Sequence, residues 1–307
     1  MLKDLKTQHD NLLVLDAGNF CFSSPHFSEQ RLQNKLSRAR FIAEMYNELP
    51  YDVVNIGLYD LTGGTDFLSH LKKSANKYKI ISANIYNADS QKLILPAYHI
   101  KKIENKKFGI VGITSQSQRE IAGIDIKNPL KAAEQQAKYL KSVKKVDYVV
   151  LLAALDNNDY SDLKELDIPV DIVLMALPTG RSRYLTENKT KLIARSGREG
   201  KYIGFLSASI KDTEKGLSDI SYASYKKSFV QRRIKNYEKS AGDQPIEEYL
   251  ADKDRMKRLY NNLVVTRNDL TKRIEKAVNP VDFDLIPVEP GKNKDNKIEA
   301  AIKKFEK

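Results

Sequence analysis

Residues 51–68 read YDVVNIGLYDLTGGTDFL. Val53, Val54 and Ile56 make a short apolar run, Gly57 ends it, and Gly63-Gly64 precede a new apolar rhythm at Phe67 and Leu68. A β-branched run that stops at glycine and resumes at helical spacing predicts a strand, a tight loop and a helix. In α/β enzymes the loop after such a strand is where binding and catalytic groups are carried. Here that loop presents Leu58, Tyr59 and Asp60. An apolar side chain heads a position suited to chemistry.

Outward from this stretch, short apolar runs alternate with amphipathic ones, as in stacked β-α units. Strands are predicted at 11–18, 52–57, 79–85, 107–114, 146–154, 170–176, 190–197 and 202–210, with helices at 28–48, 65–77 and 128–143. Several strands are apolar almost throughout, as expected when both faces of a sheet are covered. The segments 93–113 and 190–210 read as hairpins, which predicts a mixed sheet or two sheets packed face to face.

The 307 residues can bury a real core, and 41% hydrophobic with 30% charged residues marks a globular chain. Lys and Arg number 52 against 40 Asp and Glu, a net charge of +12. That surplus admits nucleic acid, an anionic membrane or an acidic partner without selecting any of them. Cys21 is the only cysteine, which excludes an intrachain disulfide and a cysteine metal knuckle. No apolar run reaches the ~18–20 residues of a membrane span. The opening MLKDLKTQHDNLLVLDAGNFC is interrupted by Asp4, Asp10 and Asp16 and reads as folded protein rather than a leader. On that reading an exported form would already have lost its signal.

Past residue 212 the texture turns helical, with a break at 242–245. Ile246, Tyr249, Leu250, Met256, Leu259, Tyr260, Leu263, Leu270 and Ile274 are expected to form one apolar stripe of a helical hairpin or arm. Residues 226–276 hold 14 Lys or Arg and 8 Asp or Glu, +6 of the total. Tyr222, Tyr225, Tyr237, Tyr249 and Tyr260 interleave with these cations. The rings are expected on the inner face of a helix pair, which argues against nucleic acid as a partner. The stretch from Asn279 reads as an extended strap with a closing helix.

In their order, these segments resemble the N-terminal metallophosphoesterase domain of the 5′-nucleotidase family. NLLVLDAGN looks like that family's Leu-Asp-Ala-Gly-Asp strand end, and YDVVNIGLYDLTGGTDFL looks like its Tyr-Asp-Ala-Val-x-x-Gly-Asn-His-Glu segment. ISANIYN, FGIVGITS, VDYVVLLAALD, VDIVLMALPTG and ARSGREGKYIG follow in register. The match covers residues 2–210. It implies an α/β fold, a calcineurin-like metallophosphoesterase sandwich of mixed sheets flanked by helices, with a helical extension. The expected division is 1–212 and 213–307.

The resemblance also implies a site: two divalent metals, held by His, Asp and Asn, that activate water against phosphorus. Carried over, the bridging Asp falls on Asn19, and the Asn-His-Glu triplet falls on Leu58, Tyr59 and Asp60. A histidine falls on Ala154, and the Gly-His-x-His pair falls on Leu177 and Thr179. The Asp-x-His of the opening strand has no counterpart. A missing strand would leave a sheet edge open to a partner. His9, His26, His70 and His99 all lie outside these blocks. The expectation is that the family metals are lost and that no residue is catalytic.

Rebuilt chemistry is the sharper reading. Asp60, Asp66, Tyr59, Asp156, Asp159 and Arg181 would lie near the cleft, where paired carboxylates could do acid/base work. The plainer reading is helix caps and turns. Thr62, Gly63, Gly64 and Thr65 could form an anion nest. Ser23, Ser24, His26 and Cys21 read as a surface loop.

The favoured expectation is an inactive scaffold or binding subunit, meeting a protein partner or its own copies through the helical region. The alternatives are an active metal-dependent phosphoesterase with a reduced or relocated site, and an anion or nucleic-acid binder acting through 226–276. Location in the bacterial periplasm or cell envelope follows from the resemblance, with the cytoplasm as the alternative.

Overall fold

The structure is a computed structural model and describes residues 1–177, 180–289, 291–292 and 295–306. It divides into two compact units, one comprising 1–181, 187–203 and 287–307, the other 182–186 and 204–286. The units cut the chain differently from a boundary at 212. Residues 204–208 go with the second unit, as does nearly all of the extended part of the strap, while 287–307 with the closing helix go with the first.

The first unit opens with α1 (Leu2–Gln8), β1 (Leu15–Asp16), α2 (Glu29–Tyr46) and β2 (Val53–Asn55). A 3₁₀ turn (Leu58–Gly63), α3 (Gly64–Ser74), β3 (Lys79–Ile81), β4 (Ile85–Asn87), β5 (Tyr98–Ile103) and β6 (Lys106–Thr114) follow. Next come β7 (Ile124–Ile126), α4 (Pro129–Ser142), β8 (Tyr148–Ala154), α5 (Asn157–Glu165) and β9 (Ile172–Leu177). The remaining strands here are β10 (Thr186–Asn188), β11 (Lys191–Arg195) and β12 (Tyr202–Ala208), the last running on into the second unit. That second unit adds β13 (Ser218–Asp219), α6 (Ser221–Ala241), α7 (Ile246–Tyr249), α8 (Asp254–Lys276) and β14 (Pro280–Pro287). Helix α9 (Asn296–Phe305) closes the first.

Two sheets carry the first unit. One is parallel, in the order β1-β2-β3. The other runs β10-β11-β9-β8-β6-β5, with β11, β9, β8 and β6 parallel and β5 antiparallel to β6. Its middle strand, β8, is buried at every residue, which explains an apolar run without alternation. On this sheet α4 lays Ala133, Ala137 and Leu140. Asn128 caps α4 by accepting the Lys131 N–H at 2.9 Å, and Pro129 starts it. Around the smaller sheet Ala39 and Ala43 of α2 and Phe67, Leu68 and Leu71 of α3 close a second apolar cluster with Val54 and Ile56.

The two sheets meet where Asn55 lies against β6. Its Nδ2 donates to the carbonyls of Ala17 and Ile113, both at 2.9 Å. A Cβ on Gly112 would lie 2.3 Å from Asn55 Oδ1, so only glycine allows this approach.

Two strand expectations are corrected. The 11–18 strand shrinks to two residues, because Gly18 and Asn19 take positive φ (109° and 64°) and turn the chain away. The 93–113 hairpin forms as β5 and β6, but 190–210 is not a hairpin. Strand β11 pairs with β9, whereas β12 sits beside β14 in the order β12-β14-β13. Gly197, Glu199 and Gly200, all at positive φ, reroute the chain between them.

In the second unit α6 ends at Gly242 (φ 63°) and packs against α8, with Tyr237 and Tyr260 in edge contact at 5.8 Å. The expected stripe is only partly covered, since Leu259 is exposed. The inward placement fails for Tyr222 and Tyr225, which are exposed beside Tyr184. No helix among the described residues is long and apolar enough to cross a membrane.

Candidate functional site

The residues that the sequence marks for chemistry lie at the ends of β1, β2, β8 and β9 or in the segments after them. Asn19, just past β1, gives its side-chain oxygen to the Tyr59 N–H at 2.8 Å. A Cβ on Gly57 would lie 2.3 Å from that oxygen, so glycine is needed there too. That oxygen holds the two loops together. Asn19 Nδ2 is buried and has no hydrogen-bond partner among the described residues.

Asp60, expected near the cleft as a candidate acid or base, is fully buried. One carboxylate oxygen accepts the Cys21 N–H at 2.8 Å, and the other accepts the N–H groups of Asn19 at 2.8 Å and Gly57 at 3.0 Å. Burial pushes its pKa up to about 7 against the pull of these donors. Asp16 is also raised by burial, while accepting the Tyr46 hydroxyl and the Gly18 N–H, both at 2.8 Å. Burial, then the charges of Asp60 and Asp16, drives the Cys21 thiol well up. A buried thiol that resists ionisation is no nucleophile.

Leu58 and Tyr59 are half-buried and pack against the apolar cluster of α2 and α3. Ala154 is buried, and its carbonyl accepts from the Ser115 N–H at 3.0 Å and the Thr114 hydroxyl at 3.3 Å. Leu177 ends β9, and nothing of its side chain is described. Thr179 lies outside the described residues.

The remaining candidates work as turns and caps. Asp156 caps α5, accepting the N–H groups of Asn158 and Asp159, both at 2.9 Å. Ser115 donates to Asp159 and accepts the Asp156 N–H at 2.8 Å, and burial raises the Asp159 pKa. Thr62 donates to the Ser24 carbonyl at 3.1 Å, and the Gly64 N–H goes to the Leu61 carbonyl. Gly63, Gly64 and Thr65 open α3, whose first turn already carries the Asp66 carboxylate. Ser24 and His26 bond one another's loop, Ser24 Oγ donating to the His26 carbonyl at 3.1 Å.

A metal pair needs imidazole and carboxylate donors converging on one point. A methyl at 154, an isobutyl at 58 and an amide oxygen already bonded at 19 do not make that set. Among the described residues no three His, Cys, Asp or Glu side chains are grouped to hold a metal ion.

Sequence reading singled out Arg181 but missed what surrounds it. The loops after β9 and β11 meet at the bridge of Arg181 with Ser196 and enclose a pocket of about 300 Å³. It is lined by Gly180, Arg181, Gly197, Arg198, Lys201 and Tyr202. The signal was there in ARSGREGKY: three cations among two glycines within a few residues.

No family model matches the chain. A 5′-nucleotidase of Vibrio cholerae is 23% identical over 184 residues, 58% of this chain and 32% of that protein. The chain therefore spans about a third of the length of that relative. Sulfate thiohydrolase SoxB of Thermus thermophilus superposes with a TM-score of 0.58 at 17% identity, covering 68% of this chain and 38% of that one. The calcineurin-like phosphoesterase YfkN of Bacillus subtilis gives 0.54 at 17% identity, covering 68% and 75%. The mixed α/β fold is that of the calcineurin-like phosphoesterases.

Proposed function

We propose, from the chain's likeness to the N-terminal metallophosphoesterase domain of the 5′-nucleotidase family, that it is a catalytically inactive form of that domain. Its work would be to bind or scaffold a partner. One observation carries this reading: the Asn19 side-chain oxygen is spent on the Tyr59 N–H, while apolar side chains stand at 58 and 154. Each family position with a described side chain now serves the fold. Two-metal hydrolysis needs a clamp on both the attacking and the leaving oxygen. These residues supply no such clamp.

The helical second unit offers the contact surface on this reading. Tyr222, Tyr225 and Phe229 are exposed along α6, and Val265 is exposed on α8. Rings of this kind, left in solvent, suit a protein partner or a second copy of the chain. A periplasmic or cell-envelope location belongs to the same reading and rests on the resemblance alone.

The test is metal content after purification, followed by hydrolysis of bis(p-nitrophenyl) phosphate with manganese, zinc or calcium added. Metal near zero with no turnover above blank is the expected result. Two equivalents of metal with chelator-sensitive turnover would overturn the proposal in favour of an active phosphoesterase.

A further inference from the structure

The pocket between the loops after β9 and β11 is built from cations with little to neutralise them. Arg181, Arg198 and Lys201 line it, and Arg195 stands behind Gly180, its guanidinium nitrogen 3.3 Å from where a Cβ on that glycine would be. The carboxylate in this loop is Glu199. It pairs with Lys201 at 2.7 Å and with Arg198 at 3.4 Å. Among the described residues, Arg181 and Arg195 have no carboxylate partner.

Both of these arginines are held by rings. The Arg181 guanidinium sits 4.6 Å over Tyr202, and that of Arg195 lies 5.8 Å from Tyr160. Stacking fixes the plane of a guanidinium without using its N–H donors. Arg195 Nε is in fact buried without a hydrogen-bond partner among the described residues. A fixed, unpaired fork of donors beside a Lys and a third Arg is the arrangement that recognises tetrahedral oxyanions.

We infer that this pocket is a metal-free binding site for a phosphate-type dianion, either free or as the end group of a small molecule. It takes nothing from the positions carried over from the family, and it does not depend on whether the domain is inactive. Arg181 and Arg198 supply charge-assisted hydrogen bonds, Arg195 adds positive potential from behind, and Lys201 completes the rim.

Calorimetric titration of the full chain with inorganic phosphate, phenyl phosphate and sulfate, at low and at moderate salt, tests this. Saturable binding to one site is expected, weakening with salt. Arg181→Gln and Arg198→Gln should each weaken it about tenfold or more, the size of one charge-assisted bond. Lys73→Gln, an exposed change on α3, should leave it unaltered. Both arginines are exposed, so the variants are expected to fold, and unchanged melting confirms that they do. Tighter binding of phenyl phosphate than of phosphate identifies an end group, and equal binding identifies the free ion. Absence of saturable binding, or loss equal in all three variants, overturns the assignment.

Discussion

Asn19 accepts the backbone N–H of Tyr59 at 2.8 Å, and that bond joins the loop after β1 to the loop after β2. Asn19 adopts φ 64°, a conformation that asparagine tolerates better than most residues. Replacing it with alanine orphans a partly buried N–H and strains the turn. The expected cost is about 1–3 kcal/mol in urea unfolding. Asn19→Asp adds a carboxylate, but the neighbouring Asp60 carboxylate stays committed to three backbone N–H groups. Manganese titration of that variant is expected to give no binding, and tight binding would sink the inactive reading.

Asp60 gives stability a pH dependence of known sign. Its pKa is about 7 in the folded chain and close to ~3.9 when unfolded, so the folded state holds the proton more tightly. The contribution of this group is full below ~4, falls as pH rises toward about 7, and is flat above. Asp16, raised in the same direction, adds to the slope. Asp60→Asn should lower stability at every pH, since its amide nitrogen faces backbone N–H groups. It should also flatten the decline between about pH 5 and 7. An equally steep decline in that variant would assign the slope to Asp16 or elsewhere.

The strand-loop-helix reading of residues 51–68 was legible because periodicity, a glycine stop and a helix start coincide there, and the structure gives β2, a 3₁₀ turn and α3. Strands β6, β8 and β9 were equally legible, being apolar along most or all of their length. What local pattern could not reveal was pairing. Residues 190–197 and 202–210 each look like strands, yet three positive-φ residues send them to different sheets. Depth was hidden as well. Asp60 reads as a loop carboxylate, and only the fold shows three backbone N–H groups closing over it. The cationic pocket escaped for the same reason, because Arg181 and Arg195 stand apart in sequence and are brought together by the ends of β9 and β11.

Asn279 organises a loop in the second unit. Its Oδ1 accepts the N–H groups of Lys211 at 2.9 Å and Asp212 at 3.1 Å, while Nδ2 donates to the carbonyls of Asp212 at 2.6 Å and Lys215 at 2.7 Å. The residue is fully buried. Asn279→Ala leaves those groups unpaired at once, and a cost of about 2–4 kcal/mol is expected. Hydrogen exchange should accelerate at Lys211 and Asp212 more than in α4. Uniform acceleration would mean that the side chain serves general packing.

Gly112 and Asn55 set the spacing of the two sheets. Asn55 Oδ1 lies where a Cβ at 112 would approach to 2.3 Å, and it has no hydrogen-bond partner among the described residues. Ile81 Cγ1 is 3.1 Å from the same point. Neither strand can move away, because β6 is paired on both sides and Asn55 is anchored to Ala17 and Ile113. Gly112→Ala should therefore cost about 1–3 kcal/mol through overpacking. Asn55→Ala removes one buried and one partly buried bond and leaves two carbonyls without their donor, for a comparable loss. The pair is the stronger test. Once Asn55 is truncated, the methyl at 112 gains the space the amide had filled, and the second substitution should be nearly neutral. That corresponds to a coupling of about 1–2 kcal/mol in a double-mutant cycle. Simple additivity would show instead that Ile81 or the backbone of β2, and not the Asn55 side chain, keeps position 112 small.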